Sequence, residues 1–331
     1  MPGMEIGLQK LIDQTMLLQA ELFNAEKTLD VADLDELKFI GWMGALALNV
    51  DAAILGLDDQ PKEFTELGRE RAMLILESYR KGYKKYAHTL DLYEDDVKEL
   101  DAKLPGWRLK MQGWPSGWAK FKAMNAGAVI SNADTLLCWD GQYLADADHP
   151  SFYQGGDPQS NLLQYKFGRY ALWEAIQKFQ QLKDPFSGAP AYNKATHVLY
   201  APNIEREALV VMLAAIIAAT SNVMYIKKIT PVLWRTFADD QFAIVDASGP
   251  KRPILGVYDA GVNVGPDAMA AFEPAAGPGL SWSQSILEWF EKRKISIGTF
   301  GKVGLHPGAW DTLMFSDGTN YHEKDAPPSQ G

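Results

Sequence analysis

Asp140, Asp146, Asp148 and His149 sit in one short segment, Cys138–Pro150, which reads CWDGQYLADADHP. Carboxylates beside an imidazole are the raw material of an acid–base pair or a metal site. A hard cation, however, needs several oxygens converging from a defined loop, and a catalytic zinc usually keeps three protein ligands. Asp-x-Asp-His ahead of a proline supplies too few, and no second His/Cys cluster completes the set. The residues favour a structural turn over a reactive site. Cys138 lacks a catalytic partner at a readable spacing and closes an apolar stretch, which fits a buried, inert thiol.

Other chemical signatures fail on inspection. Gly298–Gly304 (GTFGKVG) is glycine-rich, but it lacks the GxxxxGK with a following Ser or Thr of a phosphate loop. The strand-to-helix passage at Thr196–Ala208 (THVLYAPNIEREA) has no glycine triplet for a dinucleotide. A Gly-x-Ser-x-Gly elbow is absent from the sequence. His88, His197, His306 and His322 fall in separate segments and form no readable triad. The ten tryptophans are scattered, as fillers of cores and subunit contacts rather than base-stacking platforms.

The chain has 331 residues, 47% hydrophobic and 22% charged, an ordinary globular composition large enough for two lobes. Its net charge of −10 argues against a phosphate-backbone clamp, which needs clustered Lys and Arg. The single cysteine excludes an internal disulfide and fits a reducing cytoplasm. The apolar run Ala208–Ala219 is well short of the roughly 20 residues of a membrane span. Met1–Gln9 has no basic cluster ahead of an apolar stretch, so it does not read as a signal peptide.

The elements that would position these residues can be read from periodicity. Leu8, Leu11, Thr15, Leu18, Leu22, Ala25 and Leu29 form one stripe of an amphipathic helix, docked on its own core or on a neighbouring subunit. Asp33 caps a second expected helix, Leu34–Leu48. Between Gln60 and Leu92 lies a basic ribbon carrying Arg69, Arg71, Arg80, Lys81, Lys84 and Lys85. It reads as two strands, turning at Gly82. Glu94–Asp96 opens a helix that Pro105-Gly106 ends. Trp114-Pro115-Ser116 starts another that runs to about Leu137, with Trp118, Phe121, Met124, Val129 and Leu136 mostly on one side.

Further along, Leu162–Leu182 is helical in pattern, Thr196–Tyr200 is a strand, and Pro202-Asn203 leads into helix Ile204–Ala219. Trp234–Phe237, Phe242–Val245 and Pro253–Tyr258 read as strands, and Ala268–Ser281 as a loop. Ile286–Phe300 and Ala309–Phe315 read as an antiparallel pair around Gly301–Gly308. The tail from Thr319 reads as a flexible end.

Cys138-Trp139-Asp140-Gly141-Gln142, then Asp148-His149-Pro150, then Thr196–Pro202 with its helix occur in an informative order. With the softer Tyr86–Asp96 and Ile295–Trp310, the chain resembles the Mu-like major head subunit family of tailed phages. The resemblance covers roughly Gln60 to Phe315 and lies in order and spacing, not in catalytic motifs. It implies an α+β chain with the HK97-type capsid fold. The implied parts are an N-terminal helical arm (1–59), an extended β-hairpin loop (60–92) and a peripheral domain with a long spine helix (93–161). An axial domain (162–265), closing strands returning to the peripheral domain (266–318) and a flexible tail (319–331) complete it.

The resemblance further implies a non-enzymatic subunit that assembles into pentamers and hexamers of an icosahedral shell. That shell would enclose double-stranded DNA without sequence-specific binding, with portal, scaffold and possible decoration proteins as partners. No cofactor, metal or membrane is implied, and the expected location is the virion capsid, assembled in the host cytoplasm. Subunit contacts are expected at Arg69, Arg71, Arg80, Lys81, Lys84 and Lys85 on the ribbon. Leu11, Leu18 and Leu22 on the first helix are a second expected contact. Numbering from Met1 suggests maturation without cleavage of this subunit. Two alternatives stand beside this reading: an encapsulin-type compartment shell, and a cytoplasmic α+β metal-dependent enzyme using Asp140–His149.

Overall fold

The computed structural model describes residues 34–45, 49–57, 74–82, 84–93, 106, 113–153, 155–217, 229–249, 251–259, 281–285 and 294–325. The strands are β1 (Ile40–Ala45), β2 (Asn49–Leu57), β3 (Leu74–Gly82), β4 (Lys84–Tyr93), β5 (Leu162–Tyr165), β6 (His197–Tyr200) and β7 (Thr230–Leu233). They continue as β8 (Phe242–Val245), β9 (Ile254–Asp259), β10 (Ser281–Ser285), β11 (Lys294–Pro307) and β12 (Leu313–Asn320). Three helices accompany them: α1 (Trp114–Ser131), α2 (Arg169–Gln181) and α3 (Glu205–Ile217).

One five-stranded sheet has the order β1-β9-β11-β10, with β4 also paired to β11. A second has the order β5-β12-β8-β6-β7, and β2 pairs with β3 in a separate ribbon. In the second sheet the central strand β8 (FAIV) is buried along its whole length, as an unbroken apolar run covered on both faces should be. Helix α2 lies against β8 and β12. It turns Ala171, Leu172, Ala175, Ile176 and Phe179 inward, the stripe expected of an amphipathic helix. Helix α1 packs on β9 and β11 of the first sheet.

The two sheets share one core. The fully buried Phe39 and Trp234 rings meet edge to face at 5.6 Å, and Trp234 Nε1 donates to the Gly127 carbonyl of α1 at 3.2 Å. Gly127 permits this approach, because a Cβ there would lie 2.7 Å from Thr236 Oγ1.

Several sequence expectations give way to tertiary pairing. The expected helix at 34–48 is a short 3₁₀ turn, Asp35–Phe39, followed by β1, which runs parallel to β9. Ile40 and Trp42 straddle Gly256, where an added Cβ would lie within 2.6 Å of both side chains. A short apolar run carries no helix signal strong enough to resist such a groove. Likewise Leu162–Tyr165 is strand, paired in parallel with β12, and the expected helix begins only at Arg169. Helix α1 stops at Ser131, where the Asn132 side chain takes the Ala128 carbonyl at 2.8 Å. Met124 of α1, expected inward, is 68% exposed.

The ribbon is also rebuilt. Strand β3 pairs antiparallel with β2, not with β4, so Gly82 does not join the two strands of the ribbon. Strand β4 crosses to the first sheet and pairs with β11 over Lys84–Tyr93. The Gly301–Gly308 stretch is largely strand, not turn, and β11 and β12 belong to different sheets instead of pairing. Trp234–Phe237 forms a turn after β7, closed by Phe237 N–H on the Trp234 carbonyl at 3.2 Å. The expected helices at 8–29 and 94–105, and the loop at 268–280, lie outside the described residues.

The C-terminal tail is docked as far as Asp325. Gly168 gives α2 no side-chain cap, and the Asp325 carboxylate serves instead, accepting from Tyr170 and Ala171 N–H at 2.9 Å each. His322 reaches Glu174 at 3.1 Å, and Lys324 lies over the Tyr170 ring. Replacing Asp325 by Ala removes a cap supplied across the chain. The substitution should lower stability by about 1 kcal/mol, measured by urea denaturation. An unchanged midpoint would mean that the tail does not cap α2 in solution.

Candidate functional site

The Asp–His segment folds into a tight hairpin. Cys138 N–H bonds the Gln142 carbonyl at 2.7 Å, and Gly141 supplies the positive φ (86°) of the turn. This brings Asp140 back under the hairpin, where its Oδ2 lies 2.7 Å from His149 Nδ1 with both side chains fully buried. On the other side of the ring, His149 Nε2 lies 3.0 Å from Asn161 Oδ1. The amide orientation of Asn161 is determined by its neighbours. Its Nδ2 donates to the carbonyls of Leu144 (2.8 Å) and Trp310 (3.1 Å), so its oxygen faces His149 and also accepts from Asp146 N–H. Nε2 is therefore the donor of that pair. The imidazole also stacks on Trp310 at 4.0 Å with planes only 4° apart.

This arrangement ties together the hairpin, the start of β5 and the β11–β12 crossover. The polar atoms of Asp140, His149 and Asn161 are engaged by other parts of the chain, whereas Nε1 of the stacked Trp310 is buried without a hydrogen-bond partner. Among the described residues no group of three or more His, Cys, Asp or Glu side chains converges on a cation position. Asp146 and Asp148, the other two candidates, share a hydrogen bond. That bond, then the charge of Asp146, raises the Asp148 carboxyl above the ordinary range. Asp146 is lowered: burial opposes the shift but is outweighed by the N–H groups of Ala147 and Tyr143. Cys138 donates to the Gly308 carbonyl at 3.1 Å, and burial, reinforced by Asp140, pushes its thiol far up. It is inert at neutral pH.

A shallow cleft of about 280 Å³ lies beside Tyr153, Gln159, Lys178 and Lys183. Its Gln159 amide is committed to the Lys183 backbone in both directions, at 2.6 and 3.1 Å. The cleft is a stitched seam between two loops. A further buried carboxylate, Asp311, is raised foremost by burial, with Lys251 pulling the other way from 3.6 Å.

The sequence-predicted contact residues divide. Arg80 and Lys81 lie on β3 of the ribbon, opposite Asp51 and Val50. Lys84 and Lys85 open β4 in the first sheet instead, with Lys85 directly across from Lys302. Arg69, Arg71, Leu11, Leu18 and Leu22 lie outside the described residues. Sequence reasoning missed Asn161 and Trp310, because the partners of His149 stand 12 and 161 positions away with no local pattern to reveal them.

No family model and no curated protein sequence matches the chain. Solved structures do. The procapsid of bacteriophage JBD30 is similar over 96% of this chain and 76% of that one, at 13% identity and a TM-score of 0.53. A virus-like particle from Pyrococcus furiosus is similar over 91% and 98%, at 9% identity and a TM-score of 0.49. The capsid of Ralstonia phage GP4 is similar over 88% and 92%, at 9% identity and a TM-score of 0.48. The fold is α+β of the HK97 capsid type, which the first of these likenesses supports across nearly the whole chain.

Asp140→Ala would leave His149 buried against an empty position. Such loss should cost roughly 3 kcal/mol in chemical denaturation, while added zinc or magnesium leaves the wild-type midpoint unmoved. A metal-dependent rise in stability that Asp140→Ala abolishes would instead mark the segment as a cation site.

Proposed function

We propose that this chain is the repeating subunit of a tailed-phage head, a major capsid protein of the Mu-like kind. It assembles into pentamers and hexamers of a closed icosahedral shell around double-stranded DNA. The observation that carries this reading is the likeness to the JBD30 procapsid subunit along 96% of the chain.

The physical features agree with it. Strands β2 and β3 pair only with each other among the described residues. An isolated two-stranded ribbon is marginal in water and needs a surface to lie against. A neighbouring subunit supplies that surface, with Arg69, Arg71, Arg80 and Lys81 steering the ribbon onto an acidic chain of net charge −10. The same negative charge lets the shell hold DNA without adhering to it. Leu11, Leu18 and Leu22 form the second clasp on neighbours. Each contact is modest, and lattice closure multiplies them. Portal, scaffold and decoration proteins are the partners this role requires, and the virion is its place.

Sedimentation velocity of the full-length protein tests this reading. The wild type should populate capsomers or shells, and simultaneous reversal of Arg69, Arg71, Arg80 and Lys81 to Glu should leave a folded subunit that sediments slowly. Shells of normal size and yield from that variant would remove the steering role of the ribbon.

A further inference from the structure

Beyond β12 the chain lies as a strap on the first half of α2. Asp325 N–H bonds the His322 carbonyl at 2.8 Å, closing a four-residue turn. His322 is held at both ring nitrogens. Its Nδ1 accepts the Lys324 N–H at 3.2 Å, so Nε2 carries the proton that Glu174 accepts at 3.1 Å. The imidazole also stacks beside the Tyr170 ring, with centroids 6.1 Å apart. Gly168 makes room for the strap, because a Cβ there would collide with the Asp325 carboxylate. Asp325 is thus a fixed point on the Tyr170 and Ala171 N–H groups. From it six residues, 326–331, continue as Ala-Pro-Pro-Ser-Gln-Gly.

The face of α2 beside this fixed point is aromatic where a solvated face should be polar. Tyr170 is 43% exposed, and Trp173, the next outward aromatic along the helix, is 40% exposed. Both stand opposite the stripe of Ala171, Leu172, Ala175, Ile176 and Phe179 that fills the core. Trp173 has no aromatic, cationic or hydrogen-bonding partner among the described residues.

An exposed indole offers a broad apolar face and one N–H donor. A proline-rich segment is its complement. Pro-Pro favours the extended left-handed helix, which has no internal hydrogen bonds, so its carbonyls take outside donors while its rings pack on aromatic faces. Six residues in that form span roughly 19 Å, whereas Trp173 stands only about 4.5 Å along the axis from Tyr170. The segment reaches the indole with length to spare.

We propose that residues 326–331 dock in polyproline form over Tyr170 and Trp173 of their own chain, extending the strap along the outer face of α2. Attachment at Asp325 selects this occupant. A short tether holds the segment beside the face at an effective concentration on the order of millimolar, without the cost of bringing a separate partner to it.

A thermal double-mutant cycle on the full-length, unassembled chain tests the contact. Pro327→Ser with Pro328→Ser keeps the length and charge of the tail, and Trp173→Ala removes the indole. Each change should lower the melting temperature by roughly 2 °C. Together they should lower it no further than the larger of the two alone, because both remove one contact. The cycle also cancels what the loss of two prolines does to the unfolded chain. The coupling should be the same at protein concentrations about tenfold apart. Additive shifts would overturn the docking. A coupling that emerges only as concentration rises would put the tail on a neighbouring copy and overturn it as well.

Discussion

The imidazole of His149 is the point on which the described body of this protein converges. It is bonded to Asp140 and Asn161 and stacked on Trp310, with no exposure to water. Through those three partners it joins the 138–149 hairpin, the entry to β5 and the passage from β11 to β12. That passage is where the chain leaves the first sheet for the second. Buried polar groups are costly unless bonded, and here Asp140, His149 and Asn161 satisfy one another. The chemistry suggested by an Asp–His segment is thus spent on holding two sheets in one relation.

Around this centre the apolar core is continuous, running from Phe39 through α1, α2 and β8 to Phe315. The strands β2 and β3 pair only with each other among the described residues. The loop at Tyr192 is bolted at its base and open at its tip.

Much of this was legible in the sequence, and the failures have physical causes. The four-residue strands β6 and β8 were read correctly, because runs such as FAIV and HVLY fit a covered central strand. Helix α3 was read almost to its ends from the proline and asparagine that precede it. Strand β1 was read as helix because Ile40–Ala45 carries no period of its own, and its state is decided by β9, more than two hundred residues away. The pairing of β3 with β2 was missed because Gly82 offered a local turn, whereas the choice of partner is a property of the whole sheet. The tail read as loose because Asp325, His322 and Lys324 look like ordinary polar residues until α2 presents its uncapped N–H groups. At the candidate site, Asp140 and His149 were visible and their pairing was not. Asn161 and Trp310, the residues that make the pair structural, lie outside any local motif.

The proposed role is that of a subunit repeated in a closed shell. Electron microscopy of the purified full-length protein, with and without a scaffold partner, tests it most directly. Closed particles with fivefold and sixfold clusters of one subunit are the result this account predicts. A chain that remains a monomer or dimer under both conditions would contradict it.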